Sequence, residues 1–272
     1  MQYSIFLWPG TERVFIDIAK VLMYAFHRKG FACHLTHELN CNLSGTNIIF
    51  GANCIIRVKI PTPIPKNSII INMEQLYNES MWVTDAYLDL LKTHTVWDYN
   101  KSNQKWIQNR IGKTVPLLTF GYCPFLDQIP LSNLEDIDVL FYGGLNERRH
   151  KILRDLTAAK INAVFRNNDL WGAKRDGLIS RAKIVLNLHY YPTALFEIPR
   201  ISYLLNNHKF VISEVSTDQD EYVHLQPGLV ICPYDQLLIT IKMYLAHPEY
   251  RNEIADMGYN LIRAHHPTVP EL

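Results

Sequence analysis

The stretch Asp138-Val-Leu-Phe-Tyr-Gly-Gly-Leu-Asn-Glu-Arg-Arg-His-Lys-Ile-Leu153 decides the fold class of the second half of the chain. Its first apolar residues are typical of a buried strand, Gly143-Gly144 of a tight turn, and the residues that follow of a helix start. Arg148 and Arg149 fall in the first helical turn, where positive charge opposes the helix dipole. Glycines let a backbone approach a ligand, and the first N–H groups of a helix are free, so the stretch predicts a diphosphate-binding loop. The alternative is a plain strand-to-helix turn whose arginines form a solvated face.

Strands and helices alternate through the whole chain, which indicates an α/β fold with parallel sheets covered on both faces. In the first half we predict strands at 3–8, 31–36, 47–51, 68–72 and 95–99, and helices at 11–28, 80–91 and 102–111. In the second half we predict strands at 138–142, 161–165, 183–188, 209–213 and 228–232, and helices at 147–159, 173–181, 196–206, 236–245 and 250–264. Two Rossmann-like domains facing a cleft are therefore expected, with ligands at the carboxyl ends of the strands.

The domain boundary is expected near residue 134. Residues 121–136 contain Pro124, Pro130 and several acids, carry weak periodicity and precede the fresh strand at Val139. This gives an N-terminal domain of residues 1–134 and a C-terminal domain of residues 135–272.

Composition narrows the class of protein. The chain has 272 residues, is 48% hydrophobic and carries a net charge of +1, so it can bury two cores and has no global basic field for nucleic acid. Its five cysteines form no Cys-x-x-Cys pair, which favours free thiols in the cytoplasm. The apolar run at the N-terminus is too short for a signal peptide, and no apolar run approaches the roughly 20 residues of a membrane helix.

A second motif follows the strand at 183–188. Lys183-Ile-Val-Leu-Asn-Leu-His-Tyr-Tyr-Pro-Thr-Ala-Leu-Phe-Glu-Ile-Pro-Arg200 runs from a buried strand through an aromatic loop into a helix, with Glu197 and Pro199 expected in its first turn. A carboxylate there can accept both hydroxyls of a ribose, and Arg200 lies on a neighbouring helix face. The alternative is that Glu197 only complements the helix dipole. His189, just past the strand, is a candidate donor contact or a hydrogen-bonded structural histidine.

These motifs resemble the GT-B glycosyltransferases, and within them a bacterial group of short proteins of surface polysaccharide assembly. The resemblance covers most of the chain. It is carried by residues 138–149, by Leu178-Ile-Ser-Arg-Ala-Lys-Ile-Val-Leu-Asn-Leu-His-Tyr190, by Phe196-Glu-Ile-Pro-Arg-Ile-Ser-Tyr-Leu-Leu205 and by Phe210-Val-Ile-Ser-Glu214. In the first half, Asn72-Met-Glu-Gln-Leu76 and Val96-Trp-Asp-Tyr-Asn100 look like the same group.

The resemblance implies an N-terminal acceptor domain and a C-terminal domain that binds the nucleotide half of a sugar donor, with the last helix crossing back onto the first domain. By its matched motif, Glu197 would bind the ribose, and Gly143, Gly144 and Arg148 would lie near the diphosphate. Many retaining members carry a second glutamate eight positions after the first, and that position here is Leu205. The anomeric outcome therefore stays open.

The leading hypothesis is an enzyme that moves a sugar from a nucleotide-activated donor to a glycan or lipid-linked acceptor, with peripheral membrane contact left open. The alternatives are a non-catalytic nucleotide- or sugar-binding module and a nucleotide-sugar epimerase. An inverting reaction needs a general base, for which Glu74 ranks ahead of Glu12.

No metal or cofactor is expected. Cys33, His34, His37 and Cys41 fit no standard zinc spacing, and there is no Asp-x-Asp motif, so arginines and helix ends would hold the diphosphate. The sequence lacks the dinucleotide-binding pattern Gly-x-Gly-x-x-Gly after the first strand of either half, which argues against a simple NAD enzyme. It also lacks the pattern Gly-x-x-x-x-Gly-Lys-Ser/Thr, which argues against a P-loop NTPase.

Overall fold

The computed structural model describes residues 2–39, 45–60, 63–130, 132, 134–167 and 169–271. The chain divides into two compact units, one of Met1–Phe120 with His266–Leu272 and the other of Gly121–His265. The passage between them lies at Phe120–Gly121, whereas the sequence pattern suggested residue 134. Asn206 and Asn207 explain the difference, because their side-chain oxygens accept hydrogen bonds from the backbone of Cys123, Gln128 and Ile129 and so tie this irregular segment to the second unit.

The first unit is a parallel sheet with helices. Its strands and helices are β1 (Gln2–Leu7), α1 (Glu12–Arg28), β2 (Ala32–Thr36), β3 (Gly45–Phe50), β4 (Ile69–Ile71), α2 (Asp85–Thr93), β5 (Thr95–Trp97) and α3 (Lys101–Ile111). The strand order is β2-β1-β3-β4-β5, and every pair is parallel.

The second unit repeats the design. Its strands and helices are β6 (Ile137–Tyr142), α4 (Glu147–Ala158), β7 (Ala163–Arg166), α5 (Gly172–Ile179), β8 (Ala182–Asn187), α6 (Ile198–Asn206), β9 (Val211–Glu214), β10 (Val230–Cys232), α7 (Leu237–Ala246) and α8 (Pro248–Arg263). The order β10-β9-β8-β6-β7 is again fully parallel.

Burial explains why these runs form central strands. Val139 and Phe141 of β6, and Ile184 and Leu186 of β8, are almost fully buried in one core cluster with α4 and α7. Near-continuous apolar strands of this kind are typical of sheets covered on both faces. The two units are therefore both Rossmann-like, as the alternation predicted.

Three local predictions need correction. The helix expected from Ser80 begins at Asp85, because residues 80–83 form turns and the Thr84 side chain caps the helix at the Tyr87 N–H. Glu197 is the residue before α6 and lies outside its first turn. The last helix, α8, belongs to the second unit, and only the residues after it return to the first.

The returning segment is held to the first unit by defined contacts. The Thr119 N–H donates to the Thr268 carbonyl at 3.1 Å, and Lys29 Nζ donates to the Val269 carbonyl at 2.8 Å. Across the ranges that the structure describes, no helix is both long and apolar enough to cross a membrane.

Candidate functional site

Charged side chains gather at one edge of the second unit's sheet. Because all its strands are parallel, the carboxyl ends of β6, β8 and β9 meet there. Gly143 follows β6 directly, His189 lies two positions after the end of β8, and Glu214 ends β9. The helices α4 and α6 begin at the same edge and bring arginines to it.

Arg148 is neutralised by the protein itself. Its guanidinium forms two hydrogen bonds to the Glu214 carboxylate, one of them 2.7 Å from Nη1 to Oε2. It also stacks 3.8 Å from the centroid of the Tyr234 ring, and the Tyr234 hydroxyl donates to the Arg148 carbonyl at 2.6 Å. The anion that compensates this arginine is thus Glu214, which the sequence pattern did not reveal.

Arg149 is the buried cation of the site, with 4% of its surface exposed. The Asn146 side chain caps its N–H at 3.0 Å, and its guanidinium donates to the carbonyls of Gly144 and Leu188. Its Nε is buried and has no hydrogen-bond partner among the described residues. Burial, and next the charge of Arg200, lower the pKa of Arg149 to about 9.

Arg200 reaches the same place from α6. Its Nη1 donates to Asn187 Oδ1 at 3.2 Å, and a Cβ built on Gly143 would lie 2.9 Å from its Nη2. Gly143 has φ +137°, so glycine meets both the backbone and the steric demand. Within the described part of the chain, neither Arg149 nor Arg200 forms an ion pair with a carboxylate. Positive charge therefore accumulates beside the Gly143 backbone.

Glu197 is held from two sides at the start of α6. Its Oε1 lies 3.1 Å from His189 Nδ1, and its Oε2 accepts from Asn187 Nδ2 at 2.8 Å. Burial raises the pKa of Glu197, but the bonds to His189 and Asn187 and the charges of His189 and Arg200 lower it further, and the net shift is downward. The carboxylate is therefore ionised and oriented.

His189 is placed to donate a hydrogen bond from each of its ring nitrogens. Its Nδ1 faces the Glu197 carboxylate, and its Nε2 lies 3.1 Å from the Val215 carbonyl oxygen. Both of these partners can only accept, so a doubly protonated ring satisfies both of them. The Ser216 hydroxyl, 3.3 Å from Nε2, can either donate or accept. Burial lowers the pKa of His189, while Glu197 and next Glu214 raise it, and the net shift is upward.

Glu74 lies in the loop after β4 of the first unit, at the carboxyl edge of that sheet. Its Oε1 accepts from Asn53 Nδ2 at 3.1 Å, and its backbone carbonyl accepts from the side chains of Asn72 and Asn103. Glu12, the second choice for a base, is the exposed first residue of α1.

Asp98 anchors the loop that carries Glu74. It is fully buried and accepts hydrogen bonds from the side chains of Asn72 and Asn103 and from the backbone of Tyr99 and Asn100. Burial raises the pKa of Asp98 to about 7, although these bonds act in the opposite direction. The motifs around Asn72 and Asp98 thus form one buried polar network.

The cysteine and histidine segment shows no metal-binding geometry where it is described. Cys33 is buried in β2, and the neighbouring His34 is exposed, as expected from the alternation of a strand. Cys41 lies outside the described residues. No group of three potential metal-ligating side chains occurs among the residues that the structure covers.

Sequence reasoning missed Asn187, Asn146 and the role of Glu214. The available signal was a polar residue inside or at the end of an apolar strand, since Asn187 and Glu214 are both nearly fully buried. Buried polar groups require partners, so such residues indicate a network.

Solved structures with the same fold are glycosyltransferases. The chain matches WaaG, a glycosyltransferase involved in lipopolysaccharide biosynthesis, with a TM-score of 0.59 and 10% identity over 96% of this chain and 95% of that one. It matches sucrose-phosphate synthase from Thermosynechococcus elongatus with a TM-score of 0.56 and 10% identity over 97% and 94%. A glycosyltransferase from Rickettsia africae gives 0.54 and 10% over 96% and 93%.

Relatives in sequence come from a giant virus. The uncharacterized protein L140 of Acanthamoeba polyphaga mimivirus is 26% identical over 202 residues, which are 69% of this chain and 62% of L140. Protein L138 of the same virus is 30% identical over 119 residues, which are 43% of this chain and 13% of L138. No protein-family model matches the chain. The solved structures establish that the chain has the GT-B fold of two Rossmann-like units.

Proposed function

We propose that the chain is a glycosyltransferase that takes a sugar from a nucleoside-diphosphate donor and transfers it to a glycan or lipid-linked acceptor. The observation that carries the proposal is that the guanidiniums of Arg149 and Arg200 both lie beside Gly143 and form no ion pair with a carboxylate in the described part of the chain. Glu197 lies directly before α6, the helix that carries Arg200. The fold shared with WaaG and other glycosyltransferases supports the same reaction class.

The charges at the site suit a diphosphate. Arg148, Arg149, Arg200 and the His189 imidazolium give four positive charges, and the Glu197 and Glu214 carboxylates give two negative ones, so the net charge is +2. The diphosphate of a nucleotide sugar has two acidic groups, each ionised at neutral pH, and would neutralise this excess. Guanidinium groups bind phosphate oxygens by charge-assisted hydrogen bonds. An obligatory divalent cation is therefore not part of the proposal, and neither is a cofactor.

Glu197 is the proposed ribose ligand. A carboxylate offers about four acceptor positions, and His189 and Asn187 use two of them. The remaining positions can accept the two ribose hydroxyls. Gly144 contributes its carbonyl to hold Arg149, and Gly143 lets Arg200 approach the backbone.

Glu74 is the proposed general base of the first unit. Its loop is fixed by Asn72, Asn103 and the buried Asp98, so its position is defined by the fold. Replacement of a general base typically slows a reaction by about 10² to 10⁴-fold, which is the loss of kcat we expect for Glu74→Gln.

A cytoplasmic location is part of the proposal. Cys33, Cys54, Cys123 and Cys232 are free thiols, which fits a reducing compartment.

Acceptor-dependent nucleotide release tests the function. The chain is incubated with UDP-, GDP- and dTDP-sugars, with and without extracts of polysaccharide or lipid-linked saccharide, and free nucleotide is measured with and without EDTA. Release that requires acceptor and survives EDTA supports a metal-independent transferase. Release without acceptor supports epimerase-like or hydrolytic chemistry, and binding without turnover supports a non-catalytic module.

A further inference from the structure

We infer that His189 is a positioning residue for the donor, whose imidazolium holds the Glu197 carboxylate ready for the ribose hydroxyls, so that ribose recognition is weakened when His189 loses its proton. The inference rests on the proposed function, because it gives Glu197 its ribose. It adds a residue and a pH dependence that the fold itself does not require.

The His189 ring is buried, and both of its nitrogens already have hydrogen-bond partners within the protein. Its side chain is 3% exposed and its two nitrogens are both engaged, by Glu197 and by the Val215 carbonyl. The Ser216 hydroxyl also lies 3.3 Å from Nε2. A ring fixed in this way can orient a neighbour and has no free nitrogen with which to bind substrate.

Loss of one proton would break this arrangement. A neutral imidazole donates from one nitrogen and accepts at the other, so one of its two acceptor-only partners would face a lone pair. If Nδ1 loses the proton, the Glu197 carboxylate is repelled and keeps only the Asn187 bond at 2.8 Å. If Nε2 loses it, the Val215 carbonyl oxygen faces a lone pair, to which the Ser216 hydroxyl 3.3 Å away can donate. Glu197 then keeps only a neutral N–H donor from the ring, and a bond without charge assistance is weaker.

The charged groups around the ring favour the imidazolium. Glu197 faces it from the start of α6, and Glu214 at the end of β9 accepts from the His189 backbone N–H at 3.2 Å. The guanidinium of Arg148 on α4 is paired with Glu214. The charges of Arg149 on the same helix and of Arg200 on α6 disfavour the protonated ring, and these two guanidiniums bond Leu188 and Asn187. The negative neighbours are in direct contact, and the net shift of the His189 pKa is upward.

The two shifted pKa values define a pH window. The pKa of His189 is raised on folding. The contribution of this histidine to the stability of the pair is therefore complete below its ordinary pKa of 6.5, and it is lost as the pH rises through the higher pKa of the folded state. The pKa of Glu197 is lowered, so the contribution of this carboxylate to the stability of the pair is complete above its ordinary pKa of 4.5. The pair is therefore fully effective between 4.5 and 6.5, and fades on the alkaline side.

The first experiment needs no ligand. Nitrogen NMR of the ¹⁵N-histidine-labelled protein reports whether each imidazole nitrogen carries a proton. We expect one buried imidazole that keeps both protons at pH 6.5 and above and whose signals move in the Glu197→Gln variant, which assigns it to His189. A buried histidine that is neutral at pH 6.5 would overturn the inference, whatever the protein binds.

The second experiment measures ribose recognition against pH. UDP, GDP, ADP and CDP are screened, and the tightest binder is compared with its 2′,3′-dideoxy form by calorimetry from pH 5.5 to pH 9. The ratio of the two affinities cancels the titration of the phosphate. We expect the preference for the ribo form to fall roughly tenfold as His189 deprotonates, since a charge-assisted bond is replaced by a weaker one.

Variants separate charge from shape. His189→Gln keeps an N–H donor toward Glu197 without the charge, and should show a weak preference for the ribo form that no longer changes with pH. His247→Gln is the matched control, because it removes an exposed histidine 3.0 Å from Glu249. A pH-independent preference in the wild type would overturn the inference even if His189→Gln failed to fold. Absence of nucleotide binding at every pH would instead refute the proposed function and leave the NMR result standing.

Discussion

Arg148 and Glu214 form an ion pair within the protein, so this arginine already has an anionic partner before any ligand binds. Glu214 is 7% exposed and receives two bonds from Arg148, whose side chain is 38% exposed. Without the arginine, the carboxylate would keep one hydrogen bond from the described residues, which the His189 backbone N–H donates at 3.2 Å. Removal of one partner of a buried pair leaves an uncompensated charge.

The first prediction concerns stability. Arg148→Ala should lower the free energy of unfolding by about 2 kcal/mol, because a largely buried carboxylate loses its charged partner. Glu214→Gln in the same chain should restore part of this loss. Arg154→Ala, which removes an exposed partner of Glu147, is the control and should change little. Urea unfolding measures all three, and equal losses for Arg148→Ala and Arg154→Ala would contradict the account.

The second prediction concerns Glu197. Glu197→Gln keeps the shape of the side chain and removes the charge that strengthens its bonds to ribose hydroxyls. We expect the donor Michaelis constant to rise by roughly one to two orders of magnitude, which corresponds to about 1.5–3 kcal/mol. The wild type should prefer the ribo form of its nucleotide, and the variant should hardly discriminate. Full discrimination by the variant would show that Glu197 does not bind the ribose.

At this scale the sequence indicated single residues better than their pairings. Glu197 and Gly143 stand out from local pattern alone, since one precedes a helix after a strand and the other lies in a Gly-Gly turn. The bond between Arg148 and Glu214 joins residues 66 positions apart, and it depends on the pairing of β6 with β8 and of β8 with β9. No local pattern contains that information.

Among the elements, α4 brings Arg148 and Arg149 to the site, and its start is fixed by a cap. Asn146 Oδ1 accepts from the Arg149 N–H at 3.0 Å, and its Nδ2 donates to the Tyr190 carbonyl at 3.4 Å. Asn100 caps α3 in the first unit in the same way, accepting from Ser102 and Asn103. Of these two helices, only α4 carries residues of the candidate site, so the two caps allow an effect on stability to be separated from an effect on binding.

The third prediction uses these caps. Asn146→Ala and Asn100→Ala should each lower the free energy of unfolding by about 1 kcal/mol, the usual cost of a lost cap. Only Asn146→Ala should also weaken nucleoside diphosphate binding, because it loosens the first turn that holds Arg149. Thermal unfolding and calorimetry decide. A similar loss of binding in both variants would mean that α4 has no special role.

The elements themselves were largely predictable. The start of α3 was expected at Ser102 and is observed at Lys101, because a cap residue and a helical apolar pattern fix it. The start of α2 was wrong by five positions, from Ser80 to Asp85. Ser80 and Thr84 are both good cap residues, and only tertiary packing of residues 80–83 as turns chooses between them.

At the scale of the whole molecule, residues 266–272 belong to the first unit, although the residues before them belong to the second. Val269 is 3% exposed, Lys29 donates to its carbonyl, and the Thr119 and Thr268 hydroxyls lie 2.8 Å apart. The family resemblance implies that the last helix crosses back onto the first domain, whereas the residues that join the first unit are those after this helix. Nothing in the local pattern of Pro267 to Glu271 predicts its partner.

The fourth prediction concerns this segment. Removal of residues 266–272 should destabilise the first unit by about 2–3 kcal/mol through lost burial of Val269 and its hydrogen bonds, and leave nucleotide binding by the second unit intact. Removal of residues 270–272 alone is the control. Hydrogen exchange read separately for each unit tests this. Equal loss of protection in both units would contradict the division of the chain.

The central claim is that the second unit binds a nucleoside diphosphate through the arginines beside Gly143, and calorimetry of Arg200→Ala tests it most directly. The wild type should bind the diphosphate more tightly than the free nucleoside, with or without EDTA. Arg200→Ala should lose roughly 1.5–3 kcal/mol of binding free energy for the diphosphate and almost none for the nucleoside, because only a charge-assisted bond is removed. Arg154→Ala, with the same change of charge, should behave as wild type. Equal losses for both ligands, or a wild type that does not distinguish them, would contradict the account.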